Sequence, residues 1–162
     1  MPLARLLLLL GLAAPWPALA QQLVLRGADG REVTLTAAEI AAMPHERQRL
    51  EAPGHAAAAF EGVPLGALLA RLGAPQGQAL RGPALALVVV ARARDGYVVS
   101  FSLAETDPTL RPGGVFLADR RADGPLGPEE GPFRLVVPSE QRPARSARMI
   151  ERIELRDMRA TP

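Results

Sequence analysis

Short runs of alternating or β-branched residues, each ended by a turn, most constrain what this chain can fold into. They predict strands over Gln22–Arg26, Glu32–Thr36, Leu85–Ala91, Tyr97–Phe101, Gly114–Ala118, Phe133–Val137 and Met149–Arg156. Asp29-Gly30 and Asp95-Gly96 each lie between two of these runs, and Asp-Gly is typical of tight hairpin turns. No long helical pattern separates consecutive strands. The sequence therefore predicts an α+β fold with a mixed, largely antiparallel sheet and short covering helices.

The helices should be short. Leucines at helical spacing follow Pro64 and stop before Gly73, which predicts a helix over Leu65–Leu72 that covers the sheet. Two pairs of residues have the spacing of a capping box, which marks the start of a helix: Thr36 with Glu39, and Ser102 with Glu105. His45–Glu51 has the composition of an exposed edge strand, and Glu51–Ala59 has that of a loop that enters the next strand.

The first twenty residues have the pattern of a secretory signal. Arg5 supplies the positive start, Leu6–Ala14 forms a short apolar run, and Ala18-Leu19-Ala20 is a small-x-small cleavage site. The apolar run is shorter than the roughly 20 residues that a membrane span requires. We therefore expect cleavage near Ala20 and a periplasmic or secreted mature chain, residues 21–162, that forms a single domain and does not insert into a membrane.

Composition excludes several classes of function. The chain has no cysteine, so disulfides, thiolate metal ligands and cysteine nucleophiles are absent. The net charge is only +2, every basic residue is an arginine, and aromatic residues make up 4% of the chain. A basic stripe with aromatic residues for base stacking is therefore missing, and we expect no nucleic-acid partner.

An arginine-rich stretch near the end of the chain is the best candidate for a binding site. Guanidinium groups and turn amides suit a bound phosphate or another anion. The candidate ligands to such an anion are Arg134, Arg145 and Arg148, with the hydroxyls of Ser139 and Ser146. Alternatively, these arginines form a solvated rim or pair with nearby glutamates. The expected partner is a small anionic ligand or a partner protein.

Other catalytic or metal motifs are missing. His45 and His55 are the two histidines of the chain, and no further donors stand at zinc-binding spacing around them. The G-x-S-x-G elbow of serine hydrolases is also absent. The sequence predicts no catalytic residue and no metal site.

Four segments, taken in order, resemble the oxidoreductase molybdopterin-binding domain of the sulfite oxidase family. They are FEGVPLGALL, ARDGYVVSFSLAE, VFLADRRADGPLGPEEGPFRLVVP and ARSARMIERIEL. The resemblance covers about Leu23 to Leu155 and is to small, exported, stand-alone members. It implies that family's molybdopterin domain fold, and a groove in which Tyr97 and the arginine-rich stretch face the cofactor.

The resemblance also shows where this chain departs from the family. The family holds molybdenum through a pterin cofactor and one cysteine thiolate, and the ligand segment corresponds to about Gln48 to Ala59, which has no cysteine here. Arg148 replaces the lysine of the family's ARSVKW loop, and Met149 replaces the tryptophan. The leader has one arginine, whereas twin arginines are expected for a cofactor loaded before export.

Two functions follow as expectations. The first is a non-redox binding or accessory protein that uses the former cofactor groove for an anion or a partner. The second is a molybdopterin-dependent oxidoreductase without cysteine ligation, in which an oxo or hydroxo group or His55 takes the place of the thiolate. A third reading is an interaction module with no ligand.

Overall fold

The computed structural model describes residues 21–51, 53, 56–138 and 140–159. The predicted leader lies outside the described residues. Numbered in chain order, the strands are β1 Gln22–Arg26, β2 Glu32–Thr36, β3 Glu46–Leu50, β4 Ala58–Pro64, β5 Leu87–Ala93, β6 Val98–Ser102, β7 Phe116–Arg121, β8 Gly124–Pro125, β9 Arg134–Val136 and β10 Ile150–Asp157. The α-helices are α1 Ala37–Ala41 and α2 Leu65–Ala70, and short 3-10 turns cover Gly77–Ala79, Gly82–Ala86, Leu103–Thr106 and Pro143–Arg145.

The strands divide between two sheets. The first has the order β2-β1-β10-β5-β6, and the second has the order β3-β4-β7-β8 with β9 also paired to β7. The pair β1 and β10 is parallel, and the other strand pairs among the described residues are antiparallel. The predicted α+β class with mixed, largely antiparallel pairing is confirmed, although the strands form two sheets where the sequence predicted one.

One apolar core joins the two sheets. It contains Leu23 and Leu25 from β1, Ile153 from β10, and Val63 and Leu117 from the second sheet, all of them fully buried. A smaller cluster lies elsewhere on the second sheet and consists of Phe60, Phe116, Ala118 and Val136. Because neighbouring residues of a strand point to opposite faces, β7 supplies Leu117 to the large core and its neighbours to the small cluster.

Local signals predicted the starts of several elements. The β1–β2 hairpin forms around the Asp29-Gly30 turn, and Gly30 has a φ of 82°, a conformation that glycine adopts without strain. Both predicted capping boxes are present, one at α1 and one at the 3-10 turn after β6. The segment after His45 forms β3, which pairs only with β4 in the described residues and is therefore an edge strand.

Several predicted boundaries were wrong. Strand β5 starts two residues late because the Gly82-Pro83 stretch forms a 3-10 turn, and β7 starts late because Gly114 has a φ of 46° and continues the preceding turn. Helix α2 stops at Ala70, since the following residues close a turn that ends at Gly73. The last strand, expected to close a sheet, lies in the middle of one. Within the part of the chain that the structure describes, no helix has the length and apolar character to cross a membrane.

Candidate anion-binding cavity

Arg134 lies on β9 with its side chain inside the protein. The residue is 5% exposed, and its guanidinium carbon is 4.4 Å from the centroid of the Phe60 ring. One terminal nitrogen donates to the carboxylate of Glu130 and the other to the carbonyl oxygen of Ser146, while Nε has no partner among the described residues. A buried cation with an unused donor is costly unless a further acceptor is supplied.

Glu130 is the anion that joins Arg134 to a second arginine. Its two carboxylate oxygens accept hydrogen bonds from Nε and Nη2 of Arg121, both at 2.8 Å. Burial by itself would raise the pKa of Glu130, but the hydrogen bonds from Arg121 and the charge of Arg134 outweigh it and hold the pKa below its usual value. Glu130 is therefore held as a carboxylate between two guanidinium groups.

The sheet register brings Arg121 to this position. Arg121 ends β7 and is the cross-strand partner of Phe60 on β4, and its guanidinium carbon is 5.1 Å from the centroid of the Phe60 ring. Ala118, three residues earlier on β7, pairs with Arg134 on β9. The pairing of three strands thus places both guanidinium groups over one aromatic ring.

Arg148 completes the basic lining of a cavity of about 360 Å³. It is exposed, and the part of the chain that the structure describes offers it no hydrogen bond or ion pair. Burial lowers the pKa of Arg134, and the positive charge of Arg148 lowers it further, which indicates that the two guanidinium groups repel one another. With Arg121, Arg134 and Arg148 against the one carboxylate of Glu130, the described lining carries two positive charges in excess.

The remaining wall of this cavity is apolar. The described residues that form it are Leu50, Ala56, Ala57, Ala58, Phe60 and Pro143. Leu50 and Ala58 also pack against the small apolar cluster of the second sheet. Among the described residues, the lining therefore combines strongly basic side chains with apolar side chains that form no hydrogen bonds.

A second cavity, of about 640 Å³, shares Ser146 and Arg148 with the first and also contains Tyr97. The hydroxyl of Tyr97 donates to the carbonyl oxygen of Ala144 at 3.0 Å, and the residue is 49% exposed. Met149 lines this cavity with a φ of 53°, a conformation that costs a residue with a side chain of order 1–3 kcal/mol. Such backbone strain is common in binding sites.

The predicted site residues separate in the structure. Arg134, Ser146 and Arg148 line the first cavity, and Tyr97 lines the neighbouring one. The hydroxyl of Ser146 accepts a hydrogen bond from the backbone N–H of Val137 at 3.0 Å, so this side chain helps to build the site. Ser139 and His55 lie outside the described residues.

Arg145 lines neither cavity. Its Nε donates to Glu140 at 2.6 Å, and its terminal nitrogens donate to Glu105 and to the carbonyl oxygen of Ser100, each at 3.0 Å. Arg145 therefore follows the alternative that the sequence left open for these arginines, which is pairing with nearby glutamates.

Sequence reasoning missed Arg121, Glu130 and Phe60 as members of the cavity. Arg121 lies beyond the predicted strand Gly114–Ala118, whereas in the structure it ends β7. Glu130 lies in the turn before β9. Only the pairing of β4, β7 and β9 brings these residues together.

The family model of the oxidoreductase molybdopterin binding domain matches residues 46–161, which is most of the chain. The chain belongs to this family. The residues that match the oxidoreductase molybdopterin binding domain include the second sheet and the lining of both cavities. The resemblance inferred from the sequence is confirmed.

A solved structure supports the molybdopterin-domain fold. The crystal structure of the sulfane dehydrogenase SoxCD from Paracoccus pantotrophus matches with a TM-score of 0.61 and 20% sequence identity. The match covers 84% of this chain and 38% of that chain, so this domain corresponds to well under half of the SoxCD chain. No curated protein sequence gave a match.

The family's cofactor fits one part of the first cavity and not the other. Arg134 and Arg148 suit the phosphate of a pterin cofactor, because a guanidinium group can donate two parallel hydrogen bonds to phosphate oxygens. The segment that carries the metal ligand in the family supplies Leu50, Ala56, Ala57 and Ala58 to the described wall, and none of these side chains can bind a metal. The chain contains no cysteine. The described residues thus fit an anion and do not fit the thiolate-bound metal.

Proposed function

We propose that this protein is an exported, non-redox binding protein that holds a small anionic ligand in the cavity lined by Arg121, Arg134 and Arg148. The observation that carries the proposal is the excess of two positive charges over the single carboxylate of Glu130 in that lining. Arg134 is buried with an unused Nε donor, and a bound anion would supply the missing negative charge. Export is inferred from the leader pattern of residues 1–20.

Anion binding is tested with inorganic phosphate as the probe. We expect phosphate to raise the melting temperature of the protein, since a ligand that binds only the folded state stabilises it. Arg148→Ala should weaken phosphate binding roughly ten- to a hundredfold, the loss expected for a charged hydrogen bond. Arg81→Ala is the matched control, because Arg81 is exposed and lines none of the cavities described above. Equal phosphate affinity of wild type and Arg148→Ala would rule the proposal out.

A second candidate function is a molybdopterin-dependent oxidoreductase that binds its cofactor without a cysteine. The family match over residues 46–161 favours it, since the family is one of molybdopterin-binding oxidoreductase domains. The apolar residues in the ligand segment argue against it. Protein purified from its own host, after export, distinguishes the two. Stoichiometric molybdenum with pterin fluorescence would establish the second function and reject the first, and their repeated absence would reject the second.

A further inference from the structure

We infer, resting on the proposed anion-binding function, that the ligand is amphipathic: a doubly charged oxyanion, such as a phosphate monoester, attached to a compact apolar group. The combination of basic and apolar side chains in the described lining of the first cavity is the observation behind this inference. The apolar side chains among them cannot hold the family's metal. They can pack against an uncharged part of a ligand.

The charge of the head group follows from the lining. The described lining holds three guanidinium groups and one carboxylate, so a dianion brings these charges to neutrality and a monoanion leaves one positive charge in excess. The repulsion between the guanidinium groups is strongest at Arg134, because Arg134 is buried and the low dielectric of the interior strengthens the interaction between charges. A phosphate monoester is a dianion above its second pKa of about 6, and a sulfate monoester carries one charge.

The apolar group follows from the apolar residues of the described lining. The side chains of Leu50, Ala56, Ala57 and Ala58 have no donor or acceptor, so they cannot satisfy the hydroxyl groups of a sugar. Burying unsatisfied hydroxyl groups opposes binding, whereas burying a ring or a short alkyl group favours it. The cavity of about 360 Å³ lies at the small end of the usual range for ligand sites, which suits one ring with its phosphate.

The test compares a set of small probes by titration calorimetry on the mature full chain at about pH 7.5, where a phosphate monoester is a dianion. Inorganic phosphate measures the head group alone, phenyl phosphate adds an apolar ring, glucose 1-phosphate adds a polar ring, and phenyl sulfate keeps the apolar ring with a single charge. We expect phenyl phosphate to bind roughly tenfold tighter than inorganic phosphate, as expected from the apolar area buried. Phenyl phosphate should also bind more tightly than glucose 1-phosphate and phenyl sulfate.

Two variants test whether the apolar lining causes the preference for phenyl phosphate. Leu50→Ala removes part of the apolar lining and should lower the affinity for phenyl phosphate more than the affinity for inorganic phosphate. Leu110→Ala is the control, since Leu110 is 52% exposed and outside this cavity. The comparison of probes on the wild-type chain stands even if Leu50→Ala does not fold.

The outcomes separate this inference from the proposed function. Phosphate binding that depends on Arg148, with no gain from the phenyl ring or with equal affinity for phenyl sulfate, overturns the amphipathic dianion and leaves the anion site standing. Absence of binding by every probe overturns both. Tightest binding of phenyl phosphate, reduced by Arg148→Ala, supports both.

Discussion

The guanidinium of Arg145 lies over the ring of Phe101, with its Cζ atom 4.5 Å from the ring centroid. Phe101 belongs to β6, an edge strand of the first sheet, and Arg145 also donates to the backbone carbonyl of Ser100 in that strand. Hydrogen bonds to Glu140 and Glu105 occupy the rest of the guanidinium. Arg145 therefore fastens the arginine-rich loop to the sheet edge and covers a backbone group that an edge strand would leave exposed.

Arg145→Ala should destabilise the fold without removing the anion site. The change removes the Arg145 donor from Glu140, Glu105 and the carbonyl oxygen of Ser100, while Glu105 keeps its hydrogen bond from Arg111, and we expect a loss of roughly 1–3 kcal/mol in the free energy of unfolding. Urea denaturation measures this loss, and phosphate titration of the folded variant measures binding. Arg148→Ala should behave in the opposite way, with stability within about 0.5 kcal/mol of wild type and weak binding. A stable Arg145→Ala variant that no longer binds phosphate would restore Arg145 as a ligand-binding residue.

Acid should weaken the fold through Glu130. Burial alone would raise the pKa of this carboxyl, but Arg121 and Arg134 hold it below its usual value. A carboxyl whose pKa is lower in the folded state stabilises the protein at pH values above its unfolded pKa of about 4.3, and this contribution is lost as the pH falls through the folded pKa. The free energy of unfolding should therefore fall between about pH 5 and pH 3, since this interval contains the unfolded pKa.

Glu130→Gln isolates this residue from the other carboxylates with lowered pKa values, such as Glu105 and Glu154. The variant should be less stable at neutral pH by roughly 1–3 kcal/mol, and its stability should depend less on pH. Urea denaturation at a series of pH values gives both quantities. Parallel stability curves for the two proteins would mean that Glu130 does not titrate in this range on unfolding.

His45 should link β3 to β7. Its Nδ1 donates to the carbonyl oxygen of Met43 at 2.7 Å, and its Nε2 lies 3.1 Å from a carboxylate oxygen of Asp119, with both side chains largely buried. His45→Ala removes the partner of each group, so we expect a loss of roughly 2–3 kcal/mol in the free energy of unfolding. Arg49 in the adjoining strand β3 offers a control, because it is exposed and paired with the exposed Glu51, so Arg49→Ala should change stability by less than about 0.5 kcal/mol. Equal stability of the two variants would show that the buried contacts contribute little.

Local structural features could be predicted from the sequence. The Asp29-Gly30 turn and the capping box of Thr36 depend on residues a few positions apart, so both could be predicted. Alternation shows which residues of a strand are buried, but it does not show which sheet the strand joins. That limit explains why the division into two sheets and the central place of β10 were missed.

The same limit applies to the cavity. Arg134 and Arg148 could be proposed because they belong to one strand and loop near the end of the chain. Arg145 lies within that loop too, yet its side chain reaches β6 and not the cavity, a direction that residue type does not indicate. Arg121 joins the site only through its pairing with Phe60 across two strands.

Gly62 tests whether that pairing builds the cavity. It lies at an irregularity of β4, where the register with β7 shifts, and pairs with Ala118. A Cβ atom at this position would collide with the backbone of Leu117 and Ala118, which cannot move as a flexible side chain can. Gly62→Ala should therefore destabilise the fold by roughly 2–3 kcal/mol, as overpacking does. Separation of β4 from β7 should also disturb Phe60 and weaken phosphate binding.

Gly124→Ala is the matched control for this variant. It lies in β8 of the same sheet, and an added Cβ atom would meet nothing within 4 Å. Urea denaturation and phosphate titration of both variants provide the comparison, and Gly124→Ala should leave both properties close to wild type. A Gly62→Ala variant that is destabilised but still binds phosphate normally when folded would show that the close approach of β4 and β7 supports the sheet alone. Loss of both stability and phosphate binding in Gly62→Ala would mean that the pairing of β4 with β7 builds the anion site, because that register aligns the guanidinium of Arg121 with Phe60.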